Sequence, residues 1–231
     1  MKIIINGYGR MGKEVEKACF EKGYDAVAVD STRQLLSVKN ADGVIDFSAP
    51  SSLEALLDYC EKNNLPLVIA TTAHTGEQIE KIKAASKNIP IAYSANFSQG
   101  VAFLKKIVHL AAKNFPNFDA EIIETHHRHK KDSPSGTAKS LFDEIKLARG
   151  YATEVDGRNG VSERQNGEVG ISSVRLGGYV GVHSVMFCGD EEEIVLTHRA
   201  FSRAAFAKGA LFTLTKLLDK KSGLFLPENF S

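Results

Sequence analysis

The stretch Lys2-Ile3-Ile4-Ile5-Asn6-Gly7-Tyr8-Gly9-Arg10-Met11-Gly12 limits the possible folds of this chain more than any other. A short apolar strand runs directly into a G-x-G-x-x-G turn, and residues 11–22 then carry apolar positions at helical spacing until Gly23. A second apolar strand, 26–30, ends in Asp30, about 20 residues beyond the turn. In such a turn Gly7 permits the tight bend, Gly9 lets backbone approach a pyrophosphate, and Gly12 lets helix lie close on strand. The helix start presents bare N–H groups and the positive end of its dipole to phosphate. Strand, turn, helix and strand in this order predict the first half of a Rossmann sheet; a glycine-rich turn without a ligand is the other reading. Gly7, Tyr8, Gly9, Arg10, Met11 and Gly12 are the expected phosphate-loop residues. Asp30 is the expected ribose carboxylate, which repels a 2′-phosphate and favours NADH over NADPH. Arg10 and Arg33 either offset that repulsion or are solvated surface side chains.

The alternation continues through strands at 44–48, 67–71 and 91–93 and helices at 53–61 and 77–87. Apolar runs this short, separated by amphipathic helices, predict a parallel sheet covered on both faces. Ser48 and the run Ala70-Thr71-Thr72 sit at strand C-terminal ends, where ligands bind in open α/β sheets. Their hydroxyls either meet the cofactor or cap the following helices.

Beyond residue 98 the rhythm changes to a helix at 101–115, a strand at 120–125 and a helix at 136–148. A polar, glycine-rich loop is expected over 151–168. Strands at 169–176, 182–187 and 193–197 follow without intervening helices and read as an antiparallel meander, before a closing helix at 203–218. The expected architecture is α/β: a Rossmann-type parallel sheet from residues 1–97 with 206–231, and a second α+β domain over 98–205 carrying a mixed or antiparallel sheet for substrate binding and oligomerisation.

Charge is balanced, with 29 Lys and Arg against 28 Asp and Glu, so no global excess points to nucleic acid or a membrane surface. No apolar run reaches the roughly 18–20 residues that span a bilayer. The apolar start is too short for a secretion signal. Three scattered cysteines suit a reducing compartment, and a cytoplasmic protein is expected.

Against that balance residues 126–131 stand out as His-His-Arg-His-Lys-Lys, followed by Asp132-Ser133-Pro134-Ser135-Gly136-Thr137-Ala138. A metal cluster would use the histidines, but no Asp, Glu or Cys joins them at a familiar spacing. A nucleic-acid patch lacks interleaved aromatics. An anionic-substrate site fits better: Pro134 to Thr137 resembles a helix start whose N–H groups bind carboxylates, and Lys130 and Lys131 add charge. An exposed, solvated charge run is the remaining reading.

The run from Glu124 through His126, His127, Lys130, Ser135, Gly136 and Thr137 to Ala138 resembles the signature of the dihydrodipicolinate reductase family. The resemblance extends to the Gly7–Gly12 turn, Ser94-Ala95-Asn96-Phe97-Ser98, Thr197-His198-Arg199-Ala200 and Ser222-Gly223-Leu224-Phe225. It implies reduction of 4-hydroxy-tetrahydrodipicolinate to tetrahydrodipicolinate with NADH or NADPH, on the diaminopimelate route to lysine. His126 is then the general acid/base and Lys130 the proton donor or charge-stabilising partner. His127, Lys130, Ser135, Gly136 and Thr137 hold the carboxylates of a small anionic substrate. Ala70, Thr71, Thr72, Ser94, Ala95, Asn96 and Phe97 line the nicotinamide end. No metal is implied, and a homotetramer built through the second sheet is. Two departures stand out. Ala70-Thr71-Thr72-Ala73 replaces a Gly-Thr-Thr-Gly pattern, and Val182 replaces an acid in a Gly-Glu-His pattern.

Overall fold

The structure is a computed structural model describing residues 1–231. The chain divides into two compact units: Met1–Gln99 with Arg203–Ser231, and Gly100–Ser202.

In the first unit, strands β1 (Lys2–Asn6), β2 (Asp25–Val29), β3 (Gly43–Asp46), β4 (Leu67–Ile69) and β5 (Pro90–Tyr93) alternate with helices α1 (Arg10–Glu21), α2 (Thr32–Ser37), α3 (Leu53–Lys62) and α4 (Gly76–Ala85). The all-parallel sheet has the order β5-β4-β3-β1-β2, with one more strand beside β5. A run such as Ile3-Ile4-Ile5 needs apolar cover on both faces, because successive side chains point oppositely. Ile4, Val44, Leu67, Ile69 and Ile91 pack against Leu35, Leu53, Leu56, Cys60 and Ile82 on one face. Ile3, Ile5, Ile45 and Val68 pack against Val15 and Cys19 of α1 and Leu211, Leu214 and Leu217 on the other. Each such side chain contributes roughly 1.5–3 kcal/mol by leaving water. Capping is explicit at α4, where Thr75 and Gln78 bond reciprocally, the side chain of each accepting from the other's backbone N–H.

The second unit runs α5 (Gln99–Asn114), β6 (Asp119–His126), α6 (Gly136–Arg149), β7 (Thr153–Asp156), β8 (Glu168–Arg175), β9 (Gly181–Cys188) and β10 (Glu193–Ala200). Its sheet is mixed, with the order β10-β9-β6-β8-β7. This corrects the expected meander. β6 lies between β8 and β9, antiparallel to β9 and parallel to β8, so only β9 and β10 form a sequential hairpin. Short polar turns after β8 satisfied the local signal for a hairpin, but pairing is decided by which edge a strand finds in space. One face of the sheet, with Ala120, Ile122, Val169, Ile171, Val185 and Phe187, packs on Leu104 and Val108 of α5 and Leu141 and Ile145 of α6. On the opposite face Ile123, Val174 and Val195 are exposed.

The chain then returns to the first unit as α7 (Ala204–Leu217) and β11 (Gly223–Phe225), which adds to β5. α2, β7 and β11 went unread in the sequence. β7 falls in the expected 151–168 loop, where its exposed, polar Thr153–Asp156 carries no apolar alternation. No helix is long and apolar enough to cross a membrane.

Candidate active site

In the first unit the glycine turn has the predicted architecture. Gly7 has φ +93, and a Cβ there would lie 2.6 Å from the Phe47 carbonyl oxygen. A Cβ at Gly12 would lie 2.2 Å from the Gly7 carbonyl oxygen, so α1 sits directly on the turn. Gly9 differs: nothing lies within 4 Å of an added Cβ, and the α1 N-terminus has no side-chain cap. The open backbone faces a cavity of about 460 Å³ lined by Gly7, Tyr8, Gly9, Asp30, Ser31, Ser48 and neighbours, a size suited to a cofactor moiety. Asp30 accepts a 2.6 Å hydrogen bond from the Tyr8 backbone N–H, fixing its carboxylate on the cavity wall. These residues fit a dinucleotide.

The other expected contacts separate. Arg10 and Arg33 are exposed, and Met11 packs against the core. Ser48 lies on the wall of that cavity, where its hydroxyl donates to buried Asp46, which also accepts from Asn6 Nδ2 at 2.7 Å. Burial pushes the Asp46 carboxyl above its ordinary pKa, against the opposing effect of those bonds. Asp46 had no sequence signal beyond its strand-end position. Ala70 and Phe97 are core residues, Thr71 is buried and Thr72 exposed. Ser94 and Asn96 build a turn, with Ser94 Oγ donating to the Asn96 carbonyl and accepting from its N–H, while Ala95 is exposed. Ala73 has φ +65, in the left-handed region that favours glycine.

In the second unit the chemistry gathers under the end of β6. Alternation places Glu124 and His126 on the same, covered face. Glu124 is completely buried, and His126 Nδ1 bonds its Oε2. Arg175, opposite on β8, clamps both carboxylate oxygens at 3.0 and 2.8 Å. The Ser135 N–H donates to Glu124 Oε1 at 3.2 Å. Burial acts to raise the Glu124 carboxyl, but bonds from His126 and Arg175 overcome it and hold it well below the usual carboxylate range.

His183 on β9 meets His126 edge to face, ring centroids 5.1 Å apart, and its Nε2 lies 3.1 Å from Ser135 Oγ. Burial, reinforced by His126, pushes His183 down to about 3, so it is neutral at physiological pH. Ser135 Oγ also accepts from the Ala138 N–H and so caps α6. The helix opens at Gly136, where nothing lies within 4 Å of an added Cβ. Of the remaining expected residues, Thr137 lies in the first turn of α6, His127 is half-buried, and Lys130 bonds both oxygens of Asp132 at 2.8 and 2.9 Å.

The histidines that adjoin in sequence are therefore separated in the structure. His126 joins Glu124 and His183 within 4.8 Å, while His129 is exposed. A metal ion among these three would confront the Arg175 guanidinium already seated on Glu124, which disfavours a cation. Arg175 and His183 received no role from the sequence; their placement depends on strand register. Glu124 carried a usable signal, an acid two positions from His126 on a strand face that is otherwise apolar.

Comparison with known proteins adds independent information. Residues 1–97 match the family model for the dihydrodipicolinate reductase N-terminus, and residues 100–230 match that for its C-terminus. A 4-hydroxy-tetrahydrodipicolinate reductase from Brachyspira hyodysenteriae is 44% identical, with 97% of each chain covered. One from Staphylococcus aureus is 40% identical over 99% of this chain and 100% of its own. A solved structure, the dipicolinate-bound dihydrodipicolinate reductase from Paenisporosarcina sp. TG-14, shares the fold with a TM-score of 0.82 at 24% identity, covering 100% of this chain and 99% of that one. Matched along both halves and over the full length of these relatives, the chain belongs to the dihydrodipicolinate reductase family.

Proposed function

We infer that this protein is a 4-hydroxy-tetrahydrodipicolinate reductase, converting that substrate to tetrahydrodipicolinate and water at the expense of a reduced nicotinamide dinucleotide and a proton. The observation that carries the reading is His126, hydrogen-bonded to a buried carboxylate, on the strand that leads to the open start of α6. The full-length relatives support the choice of substrate.

The first unit holds the dinucleotide through the Gly7–Gly12 turn and Asp30, and the bound cofactor supplies hydride. The second unit holds the substrate's carboxylates at the Gly136–Thr137 end of α6, where the dipole and first-turn N–H groups favour anions. Lys130 exchanges Asp132 for a substrate carboxylate, trading one ion pair for another. His127 adds a donor beside it. His126 Nδ1 is committed to Glu124, so Nε2 is the nitrogen that carries a proton to the ring as negative charge develops there. A Cβ at Gly181 would lie 3.1 Å from that nitrogen, and the glycine keeps it accessible. Lys130 stabilises the developing charge electrostatically. The exposed Ile123, Val174 and Val195 on the open face of the second sheet suit it to pack against another copy, as a homotetramer requires.

The test is oxidation of reduced nicotinamide, followed by absorbance, with substrate generated in place by the synthase that makes it. Synthase-dependent oxidation is expected; none, in protein that binds the dinucleotide, overturns the reading. NADH and NADPH in parallel decide cofactor preference, and Asp30→Ala should weaken NADH while sparing NADPH. Lys130→Ala should lose about 10²–10⁴-fold in turnover. Light scattering of the purified protein tests the tetramer.

A further inference from the structure

Four hydrogen-bond donors converge on the Glu124 carboxylate, which is 0% exposed. Oε1 accepts from the Ser135 N–H and an Arg175 nitrogen, and Oε2 accepts from the second Arg175 nitrogen and faces His126 Nδ1. An ionised carboxylate has no proton to give, and a guanidinium and a backbone N–H can only donate. Nδ1 of His126 must therefore donate as well. The carboxylate's capacity of about four bonds is then filled.

We propose that Glu124 is the positioning residue of this site: it fixes His126 in the tautomer protonated at Nδ1 and ties that ring, through the Ser135 backbone, to the start of α6. This rests on the reading of His126 as the proton carrier. The consequence is geometric. One carboxylate joins the proton-handling ring to the helix end that holds the substrate anion, so ring and anion site keep a fixed relation. Arg175 serves the same end by satisfying both oxygens at once, and it prevents the carboxylate from rotating away from either partner. His183 completes the enclosure. It faces His126 from β9 and bonds Ser135 Oγ, so a neutral ring backs the imidazole without adding a second charge. The groups around His126 are thus Glu124 on its own strand, Arg175 on β8, His183 on β9 and the Ser135 cap of α6; Lys130 and Asp132 lie in the following loop.

Glu124→Gln tests the idea with little change of volume. An amide offers one oxygen where four donors converge, and its NH₂ group faces either Arg175 or Nδ1. Turnover should fall about 10²–10⁴-fold, the full worth of general acid–base catalysis. Substrate KM and dinucleotide Kd should stay within a few-fold, and the pH profile of kcat should move. Equal turnover and an unmoved profile in a folded Glu124→Gln protein would overturn the proposal. So would loss confined to KM. If that variant fails to fold, imidazole ¹⁵N chemical shifts of the wild-type protein decide instead. His126 must show a proton on Nδ1, and a ring protonated at Nε2 alone overturns the proposal. The nitrogen measurement needs no substrate, so it stands apart from the assay. Absence of wild-type turnover would remove the inferred reaction, while the tautomer would still decide the role of Glu124.

Discussion

The turn at Gly7–Gly12 offers a ligand backbone N–H groups and empty space, whereas the cluster at the end of β6 works with buried side-chain charge. The first site depends on the absence of atoms: a methyl group at Gly7 or Gly12 would strike a carbonyl oxygen. The second depends on completeness, because Glu124 is tolerable inside the protein only while Arg175, His126 and Ser135 all face it. The two units are therefore expected to fail in different ways. Steric insult breaks the first, and loss of one charge or proton breaks the second.

Arg175→Ala should give the largest effect. It strands a fully buried carboxylate, and removing one partner of such a pair costs about 3–5 kcal/mol. Urea unfolding with probes in each unit should place the loss in the second. A loss under about 1 kcal/mol would show that Glu124 is satisfied without its guanidinium.

Acid should separate the units next. Glu124 has a depressed folded-state pKa, so its stabilisation is present above the unfolded value of about 4.3 and is lost as pH falls through that window. His183 is held neutral when folded, down to about 3, while an unfolded histidine binds its proton near 6.5. The unfolded chain takes up more protons between those values, so the second unit begins to weaken as pH drops below about 6.5. Burial of His198 acts in the same direction. Asp46 in the first unit has the opposite sign, since a raised carboxyl pKa favours the folded state as pH falls. Hydrogen exchange from pH 7 to pH 5 should open the second unit by a few kcal/mol while protection around β3 holds. Uniform loss of protection would erase the contrast.

Gly12→Ala tests the steric side. With the Gly7 carbonyl oxygen 2.2 Å from the new methyl, α1 must shift, costing about 1–3 kcal/mol and weakening dinucleotide binding. Calorimetric titration with NADH should show the weaker binding, with the second unit's exchange pattern unaltered. Ala73→Gly is the smallest test. It relieves a left-handed alanine and should gain up to about 1 kcal/mol, read as a rise in Tm.

Much of this protein was legible because it follows local rules. The glycine spacing, the Asp30 strand end and the two-sided apolar strands foretold the parallel sheet. The α6 start was legible from Ser135-Gly136-Thr137, since a cap and a turn are written within a few residues. The site in the second unit was half legible. His126 and Ser135 stood in a readable signature, and strand alternation alone would have put Glu124 on the face of His126. Arg175 and His183 were not legible. Each reaches the cluster only because β6 enters the sheet between β8 and β9, placing residue 175 opposite 126 and residue 183 opposite 124. The sequence by itself determined most of the strands and helices, which of their faces are apolar, and which turns open a helix. Only the tertiary structure decided which charges share the buried space, because strand order and register are settled by long-range packing, and a single step of register turns every side chain to the opposite face.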